Sequence, residues 1–275
     1  IKTSKIDHKM KKIILGALAL LNLFSCSGDE KIELIAPEKK KLVTMTYNIH
    51  HGAPENSDVV NLANIAAVIK NSGAELIALQ EVDVNVPRSG KVNQAAELAK
   101  LLGMEYHFSK SIDYNGGEYW VAILSKYPLS NKRRELLPMP TPGEQRSIAL
   151  ATVTLPNGQN IEFASTHFDL NVPNRTAQAV YLNQMSATLN KELFVGGDYN
   201  AIPSSSEMLK LKEGFTLSCM SSCPLSFPVN TPTKAIDFVI FNPKAANSYT
   251  LVSSVALLGQ YASDHLPVSV VFQYE

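Results

Sequence analysis

The sequence predicts an α+β fold of stacked layers, and three observations support this class. Short apolar runs rich in β-forming residues recur between residues 42 and 275. Helical periodicity is confined to segments 59–70, 94–102 and 174–190 of this stretch. The same stretch has no internal repeat and no linker-like boundary. We therefore expect one domain in which a few helices cover a strand-rich core.

The predicted strands are apolar runs that end in polar or turn-forming residues. In chain order they cover residues 42–49, 76–79, 119–124, 148–155, 161–166, 193–195, 236–241, 249–255 and 268–272. The predicted helices should bury apolar residues spaced three or four apart. The first would bury Val60, Ala63, Ala67 and Val68, and the third a stripe from Ala177 to Leu189.

Composition places the chain among globular proteins and excludes several functions. Of 275 residues, 45% are hydrophobic and 18% are charged, which is typical of a folded protein with a large core. The 25 basic residues equal the 25 acidic ones, so a nucleic-acid binder that relies on bulk positive charge is not expected. Three cysteines are too few for a disulfide scaffold.

The N-terminal segment differs from the rest of the chain in net charge and in the pattern of its residues. Residues 1–41 hold 9 basic and 5 acidic residues, whereas residues 42–275 hold 16 and 20. Lysines precede the apolar run 13–21, which is shorter than the roughly 20 residues of a membrane span. This pattern predicts a signal peptide over residues 10–25, with Met10 as the start and residues 1–9 as upstream sequence of unassigned origin.

The signal segment ends in Leu23-Phe24-Ser25-Cys26, which resembles a bacterial lipobox. Lipidation of Cys26 would anchor the protein in the cell envelope, and this lipid would be its one membrane contact. Phe24 departs from the small residue usual in a lipobox, so an ordinary signal peptide is the alternative. Residues 26–41 would be the lipidated cysteine and a polar tether, followed by the folded domain over residues 42–275.

Ionisable and amide side chains occur where the predicted strands end. Active sites are often assembled on such ends, although any one residue could simply cap a turn. The set consists of Asn48, Glu81, His167, Asp169, Asp198, Asn200, Asp237, Asp264 and His265.

The motifs around these positions resemble those of the endonuclease/exonuclease/phosphatase superfamily. They are TYNIHHG at 46–52, LQEVD at 79–83, AILSKYPL at 122–129, STHFD at 165–169, GGDYNA at 196–201 and SDHLPV at 263–268. Each motif is weak alone, but the ordered set is specific and extends over the whole predicted domain. The resemblance implies a deoxyribonuclease-like, four-layer α/β/β/α sandwich and a metal-dependent phosphoesterase.

The resemblance also implies a metal site. Glu81 would be the main ligand of Mg²⁺ or Mn²⁺, with Asn48 beside it and Asp264 completing the environment. Oxygen ligands suit such hard ions, and Mg²⁺ usually takes one or two carboxylates from a protein.

Further residues would carry out proton transfer and bind the phosphate. His265 would be the general base, because an ordinary pKa near 6.5 suits proton transfer, and the carboxylate of Asp237 would orient the ring and raise its pKa. Asp198 and Asn200 would hold the attacking water and phosphate oxygens. His167 would donate to a phosphoryl oxygen.

The remaining candidates are less constrained by the motifs. Glu118 is at a position where some relatives support the histidine equivalent to His167. Arg146 would bind phosphate with its planar fork, whereas Arg88 and Arg175 could equally be surface residues. Trp120 could stack on a ligand or pack in the core.

These residues predict hydrolysis of a small or exposed phosphate mono- or diester by a monomeric, exported enzyme. The alternatives are a secreted endonuclease and a non-catalytic binding module on the same scaffold. Nucleic acid is not the favoured partner, because residues 42–275 have no stripe of basic residues. Their one basic cluster, Lys132-Arg133-Arg134, is expected to lie on a solvent-exposed strand edge. Cys219 and Cys223 could form a disulfide or remain as buried thiols.

Overall fold

The structure, a computed structural model, describes residues 39–275. The predicted signal peptide, Cys26 and most of the tether lie outside the described residues. The sequence places Lys40 and Lys41 in the tether, but in the structure they belong to the first strand, where they pair with Tyr274 and Gln273. The folded region therefore includes two residues before position 42. Among residues 39–275, no helix is long and apolar enough to cross a membrane.

The chain contains twelve strands and five α-helices within the described residues. The strands are β1 Lys40–Asn48, β2 Leu76–Val84, β3 Glu105–Tyr114, β4 Gly117–Ser125, β5 Leu129–Leu136, β6 Ser147–Thr154, β7 Asn160–His167, β8 Leu193–Asp198, β9 Thr216–Leu217, β10 Asp237–Phe241, β11 Thr250–Ala256 and β12 Val268–Tyr274. The helices are α1 Leu62–Ser72, α2 Gln94–Leu102, α3 Val172–Thr188, α4 Ser206–Leu211 and α5 Pro243–Ser248.

The strands form two six-stranded mixed sheets that pack face to face. One sheet has the order β11-β12-β1-β2-β4-β3, and the other has the order β5-β6-β7-β8-β10-β9. A central core that includes Leu76, Phe163 and Phe272 fills the space between them. Helices α1 and α2 cover the outer face of the first sheet, and α3 and α4 cover that of the second. This arrangement confirms the α+β class and the four layers.

The two sheets come into close contact at Gly196 of β8. A Cβ atom there would lie 2.4 Å from Cβ of Ala78 on β2. Because real Cβ atoms do not come so close, glycine is needed for the two sheets to pack at this point.

Local capping sets the limits of α1 and α2. The side chains of Asn61 and Asn93 accept hydrogen bonds from backbone N–H groups of the first turns. Both helices end at a glycine in the left-handed conformation, Gly73 with φ 70° and Gly103 with φ 65°.

Two expectations about the helices were wrong. Helix α1 buries Ile65, Ala66 and Ile69 with Val68, whereas Ala63 and Ala67 are exposed. The most buried side of α3 is largely polar and is formed by Asn174, Arg175, Gln178, Ala179, Leu182 and Ser186. The stripe from Ala177 to Leu189 is only half-buried at its apolar positions, because α3 packs through buried hydrogen bonds as well as apolar contacts.

Candidate active site

The second sheet aligns three ionisable residues at one edge. His167 ends β7, Asp198 ends β8 and Asp237 begins β10. Asp198 is in register with His167 on one side and with Asp237 on the other. The strand ends predicted from the sequence therefore come together because their strands are neighbours.

Asp198 is the centre of this group and is fully buried. One carboxylate oxygen, Oδ1, accepts a hydrogen bond from the backbone N–H of Asn200 at 2.8 Å. The other, Oδ2, lies 3.2 Å from Nδ2 of Asn48, 3.4 Å from Nε2 of His167 and 3.7 Å from Nε2 of His265. Burial, followed by the nearby charge of Asp237, raises the pKa of the Asp198 carboxyl above its ordinary value.

The first sheet contributes Asn48, at the end of β1, and Glu81, which lies within β2 just past the point where its parallel pairing with β1 ends. The Nδ2 group of Asn48 donates to Oε1 of Glu81 at 3.0 Å, as well as to Asp198. Pairing of β2 with β4 shifts register between Leu79 and Val82, and Glu81 has a left-handed φ of 59°. This bulge re-aims the Glu81 side chain into the cleft between the sheets.

His265 and Asp237 form a buried hydrogen-bonded pair. Nδ1 of His265 lies 2.9 Å from Oδ2 of Asp237, which also accepts a 2.5 Å hydrogen bond from Oγ of Ser226. Burial alone would lower the pKa of His265, but the carboxylates of Asp237, Asp198 and Asp264 outweigh burial and raise it to about 10. Asp237 is therefore placed to orient His265 and to raise its pKa, as expected from the sequence, and the neighbouring carboxylates favour the protonated ring.

A stack of three side chains forms another wall of the site. The Trp120 ring stacks on His167 with centroids 5.0 Å apart, and the guanidinium of Arg146 lies 4.0 Å from the Trp120 ring. Of the two roles considered from the sequence, the structure shows the packing role, because Trp120 is buried in the core, where its ring supports a site histidine. Burial, then the charges of Arg146 and His265, hold the pKa of His167 well below its ordinary value.

Arg146 has unused hydrogen-bonding capacity. Its side chain is nearly fully buried, and Nη2 lies 3.4 Å from Oε1 of Glu144. The Nε and Nη1 groups have no hydrogen-bond partner within residues 39–275. Buried guanidinium donors normally have an acceptor, so these groups are ready for an anion.

The site opens into a cleft of about 390 Å³ between the sheets. Nine residues singled out from the sequence line this cleft. They are Glu81, Arg88, Trp120, Arg146, His167, Asp198, Asn200, Asp264 and His265. Asn48 and Asp237 lie directly behind them, bonded to Glu81, Asp198 and His265. Asn200, with φ 49°, places its Nδ2 group 3.0 Å from Nε2 of His167.

Two sequence-based suggestions are not supported. The carboxylate of Glu118 lies 3.4 Å from Nζ of Lys110 and does not contact His167, whose Nδ1 atom has no partner among the described residues. The Arg175 guanidinium is buried against Glu207 at 2.7 Å and donates to two backbone carbonyls, so it stabilises α3 and α4 instead of facing the cleft.

The sequence did not identify the aromatic part of the cleft. Tyr114 and Tyr119 line it together with Arg88, whose guanidinium lies 4.6 and 5.1 Å from their ring centroids. Arg88 is held there by Asp83 through hydrogen bonds of 2.8 and 2.9 Å. The tyrosines follow no recognisable motif, and the pairing of β4 with both β2 and β3 brings them to the site.

The family assignment follows from a match to the profile of the endonuclease/exonuclease/phosphatase family over residues 45–265. The chain belongs to this family. Its enzymes are generally hydrolytic and depend on a divalent metal ion.

Several solved structures share the fold, and some of them are named as endonuclease/exonuclease/phosphatase proteins. One from Beutenbergia cavernae has a TM-score of 0.70 and 21% identity, covering 85% of this chain and 72% of its own. A mannosyl-6-phosphatase from Bacteroides thetaiotaomicron has a TM-score of 0.62 and 16% identity, covering 84% and 99%. The human Nocturnin catalytic domain with bound sulfate has a TM-score of 0.66 and 16% identity, covering 86% and 98%.

The residues present fit the divalent ion that the endonuclease/exonuclease/phosphatase family requires. Glu81 and Asp264 both line the cleft, and the amide of Asn48 holds one oxygen of Glu81. The hydroxyl of Ser263 donates to the carbonyl of Asn48 at 2.7 Å and shares this proton with Oδ1 of Asp264 at 3.2 Å, which links Asp264 to the end of β1. Two carboxylates oriented by neighbouring side chains match the oxygen ligands that hard cations prefer.

The cysteines are joined in the structure. Cys219 and Cys223 form a disulfide with a Cα–Cα distance of 4.5 Å. Both pack against the core beneath α3 and α4. They lie outside the cleft, so they support the fold and not the chemistry.

Proposed function

We propose that the protein hydrolyses a phosphate mono- or diester with an activated water, in a reaction that depends on Mg²⁺ or Mn²⁺. The observation that carries this proposal is the position of Arg146. Its buried, unpartnered N–H groups belong to the same cleft as Glu81 and Asp198. A positively charged guanidinium next to oxygen ligands and a buried carboxylate is an arrangement suited to binding a phosphate group.

Phosphate binding would involve Arg146 and His265. The guanidinium can donate to phosphoryl oxygens in a bidentate manner. His265, kept protonated by Asp237, adds a second positive charge that need not reorganise during the reaction. The bound metal ion would polarise the phosphate and stabilise negative charge developing on it.

Asp198 would hold the attacking water and accept its proton. Its carboxylate is oriented by Asn48 and by the backbone of Asn200. Burial raises its pKa toward neutrality, which makes it a better proton acceptor than an exposed aspartate. This assignment gives Asp198 the general-base role that the sequence suggested for His265.

A small substrate suits the cleft best. A volume of about 390 Å³ lies at the low end of the range for small-molecule sites. Tyr114, Tyr119 and Arg88 form a rigid wall that can contact the organic part of an ester. A structural neighbour named as a mannosyl-6-phosphatase indicates that this fold accommodates a substrate of sugar-phosphate size.

The endonuclease alternative has less support. The basic cluster Lys132-Arg133-Arg134 lies on the edge strand β5, outside the cleft, and Arg133 is paired with the buried Glu162 at 2.8 Å. No other observation favours a surface that follows a long nucleic acid. The non-catalytic alternative is disfavoured because so many buried polar groups converge without a structural need.

A panel of phosphoesters tests the proposal. Mono- and diesters, including sugar phosphates and supercoiled plasmid, are incubated with Mg²⁺ and with EDTA. We expect turnover of a small ester that EDTA abolishes and that Asp198→Ala and His265→Ala each reduce at least about 10²-fold. Asp113→Ala, on the exposed end of β3, is the control that should retain activity. Plasmid nicking without small-ester turnover would instead support the endonuclease, and no turnover would revive the binding module.

We further propose that Cys26 anchors the chain in a bacterial envelope through a lipid, leaving the domain as a monomer outside the cytoplasm. The support is the run 13–26 in the sequence. Metabolic labelling with a radioactive lipid precursor should mark the full chain but not Cys26→Ser. A full chain that takes up no label would refute the anchor.

A further inference from the structure

Two consecutive histidines lie beside Glu81 and have no part in the chemistry proposed above. His50 and His51 follow β1, and both have a left-handed φ of 45°. The backbone N–H of Ile49 donates to the carbonyl of Gln80 at 3.1 Å, which fixes this turn next to the Glu81 bulge. The imidazole centroids are 4.4 Å apart, and the rings meet edge to face at 63°.

The tautomer of His50 is determined by its neighbour. Nδ1 of His50 lies 3.1 Å from the carbonyl oxygen of Ala53. A carbonyl oxygen can only accept, so Nδ1 carries the proton and Nε2 keeps its lone pair. Metal-binding histidines are typically oriented in this way, with one nitrogen donating to a carbonyl and the other bound to the ion.

His51 has a buried nitrogen without a partner. The side chain is only 7% exposed, and Nδ1 makes no hydrogen bond within residues 39–275. The backbone of His51 is held in place, because its carbonyl accepts a 2.6 Å hydrogen bond from Nε2 of Gln94. An unpartnered imidazole nitrogen that is fixed at this depth requires an explanation, and a ligand would provide one.

These groups converge with the Glu81 carboxylate. His50, His51 and Glu81 each offer a donor atom, and the donor atoms all lie within 4.8 Å of one another. Nitrogen and oxygen ligands at ~2 Å from a tetrahedral zinc ion are about 3.3 Å apart, so modest side-chain rotations would close the set. Two histidines and one glutamate, with a fourth position open to water, are a known ligand set of catalytic zinc.

We propose that His50, His51 and Glu81 form a second divalent-cation site that takes an imidazole-preferring ion such as Zn²⁺ or Co²⁺. Imidazole ligands select such ions, whereas the oxygen ligands Glu81 and Asp264 select Mg²⁺ or Mn²⁺. Glu81 would be shared by the two sites, so this inference deepens the proposed function. A second ion at this position would bring further positive charge to the cleft.

Titration of the full, tag-free chain with Co²⁺, without substrate, tests the site. We expect one equivalent of Co²⁺ to give the intense visible absorption of a low-coordinate, nitrogen-bound ion, which Zn²⁺ removes and excess Mg²⁺ does not. His50→Asn, His51→Asn and Glu81→Gln should each weaken Co²⁺ binding by about 10-fold or more. Asparagine tolerates the left-handed backbone of the turn. The control is His107→Asn, whose imidazole bonds to the carbonyl of Arg133, away from the cleft.

The outcomes separate this inference from the proposed function. Co²⁺ spectra and affinities that are the same in His50→Asn as in the parent chain, or an absence of nitrogen-bound Co²⁺ in the parent, would overturn the second site. Neither result affects the phosphoesterase panel, which is carried out with Mg²⁺ alone. If His51→Asn does not fold, as judged by circular dichroism, the half-buried His50 and Glu81 still decide the question.

Discussion

Replacing Asp237 with Asn should move the alkaline limit of activity to lower pH, because Asp237 keeps His265 charged. The two side chains are buried and joined at 2.9 Å. Burial opposes the charge on His265, and the surrounding carboxylates nevertheless raise its pKa to about 10. Asparagine preserves the volume of Asp237 and removes only its charge, so a change in the pH profile reports the charge itself.

The size of the effect follows from the charged fraction of His265. Suppose that loss of Asp237 returns the pKa of His265 to its ordinary value of about 6.5. The protonated fraction of His265 then falls little near pH 6, but it falls to about a quarter near pH 7 and to about 3% near pH 8. The rate relative to the parent enzyme should therefore fall about 4-fold near pH 7 and about 30-fold near pH 8, beyond any loss that is independent of pH.

Two measurements check this prediction. The pH dependence of kcat with Mg²⁺, on the best ester of the panel, gives the alkaline limb, and a carbon-13 NMR titration of the histidine rings gives the pKa of His265. Ser226→Ala is the matched control, because it removes the other hydrogen bond to the same oxygen of Asp237 and leaves the charge. A constant rate ratio between about pH 6 and 8 would refute the reasoning.

Three further substitutions test the site and the fold. Arg146→Lys keeps the charge but not the bidentate fork, so the inhibition constant of inorganic phosphate should rise about 10-fold; an unchanged constant would exclude Arg146 from phosphate binding. Arg175→Ala leaves the buried Glu207 unpaired and should lower the free energy of unfolding in urea by about 3–5 kcal/mol. Gly196→Ala introduces a methyl group 2.4 Å from Cβ of Ala78 and should lower the free energy of unfolding by about 1–3 kcal/mol. An unchanged free energy of unfolding would mean that the sheets separate easily at this point.

Exposed positions serve as controls for these variants. Arg134→Lys lies on the edge strand β5 and should leave phosphate inhibition unchanged. Lys210→Ala breaks only a partly exposed pair with Glu213 at 2.8 Å and should cost less than about 1 kcal/mol. An equal loss of stability in Lys210→Ala and Arg175→Ala would contradict the distinction between buried and exposed pairs.

The sequence predicted the strands of the core because their residues are apolar on both faces. β2, β6 and β8 are buried along nearly their whole lengths, and continuous apolar runs identify such strands. β3 and β5 lie at sheet edges, are half-buried or exposed, and carry many polar and charged residues. Their sequences lack the apolar pattern by which strands are recognised, so these two strands become evident only from their pairing with a neighbouring strand.

The candidate site could be predicted where motifs mark it and not where tertiary packing creates it. Asn48, Glu81 and Asp198 stand in recognisable strings at strand ends. Arg175 stands in no such string, and its burial against Glu207 depends on how α3 meets α4. The sequence predicted that Asp237 raises the pKa of His265, but the further contribution of Asp198 depends on how the strands are placed.

The hydrogen bond from Asn48 to Asp198 joins the two sheets at the site itself. Ser165 also bonds across the sheets to Gln80 and Leu79, but a small sliding of one sheet over the other would separate the groups of the site first. Activity therefore depends on the relative position of the two sheets. During gradual denaturation it should disappear while the strands still give their circular-dichroism signal, and it should return last when the chain refolds.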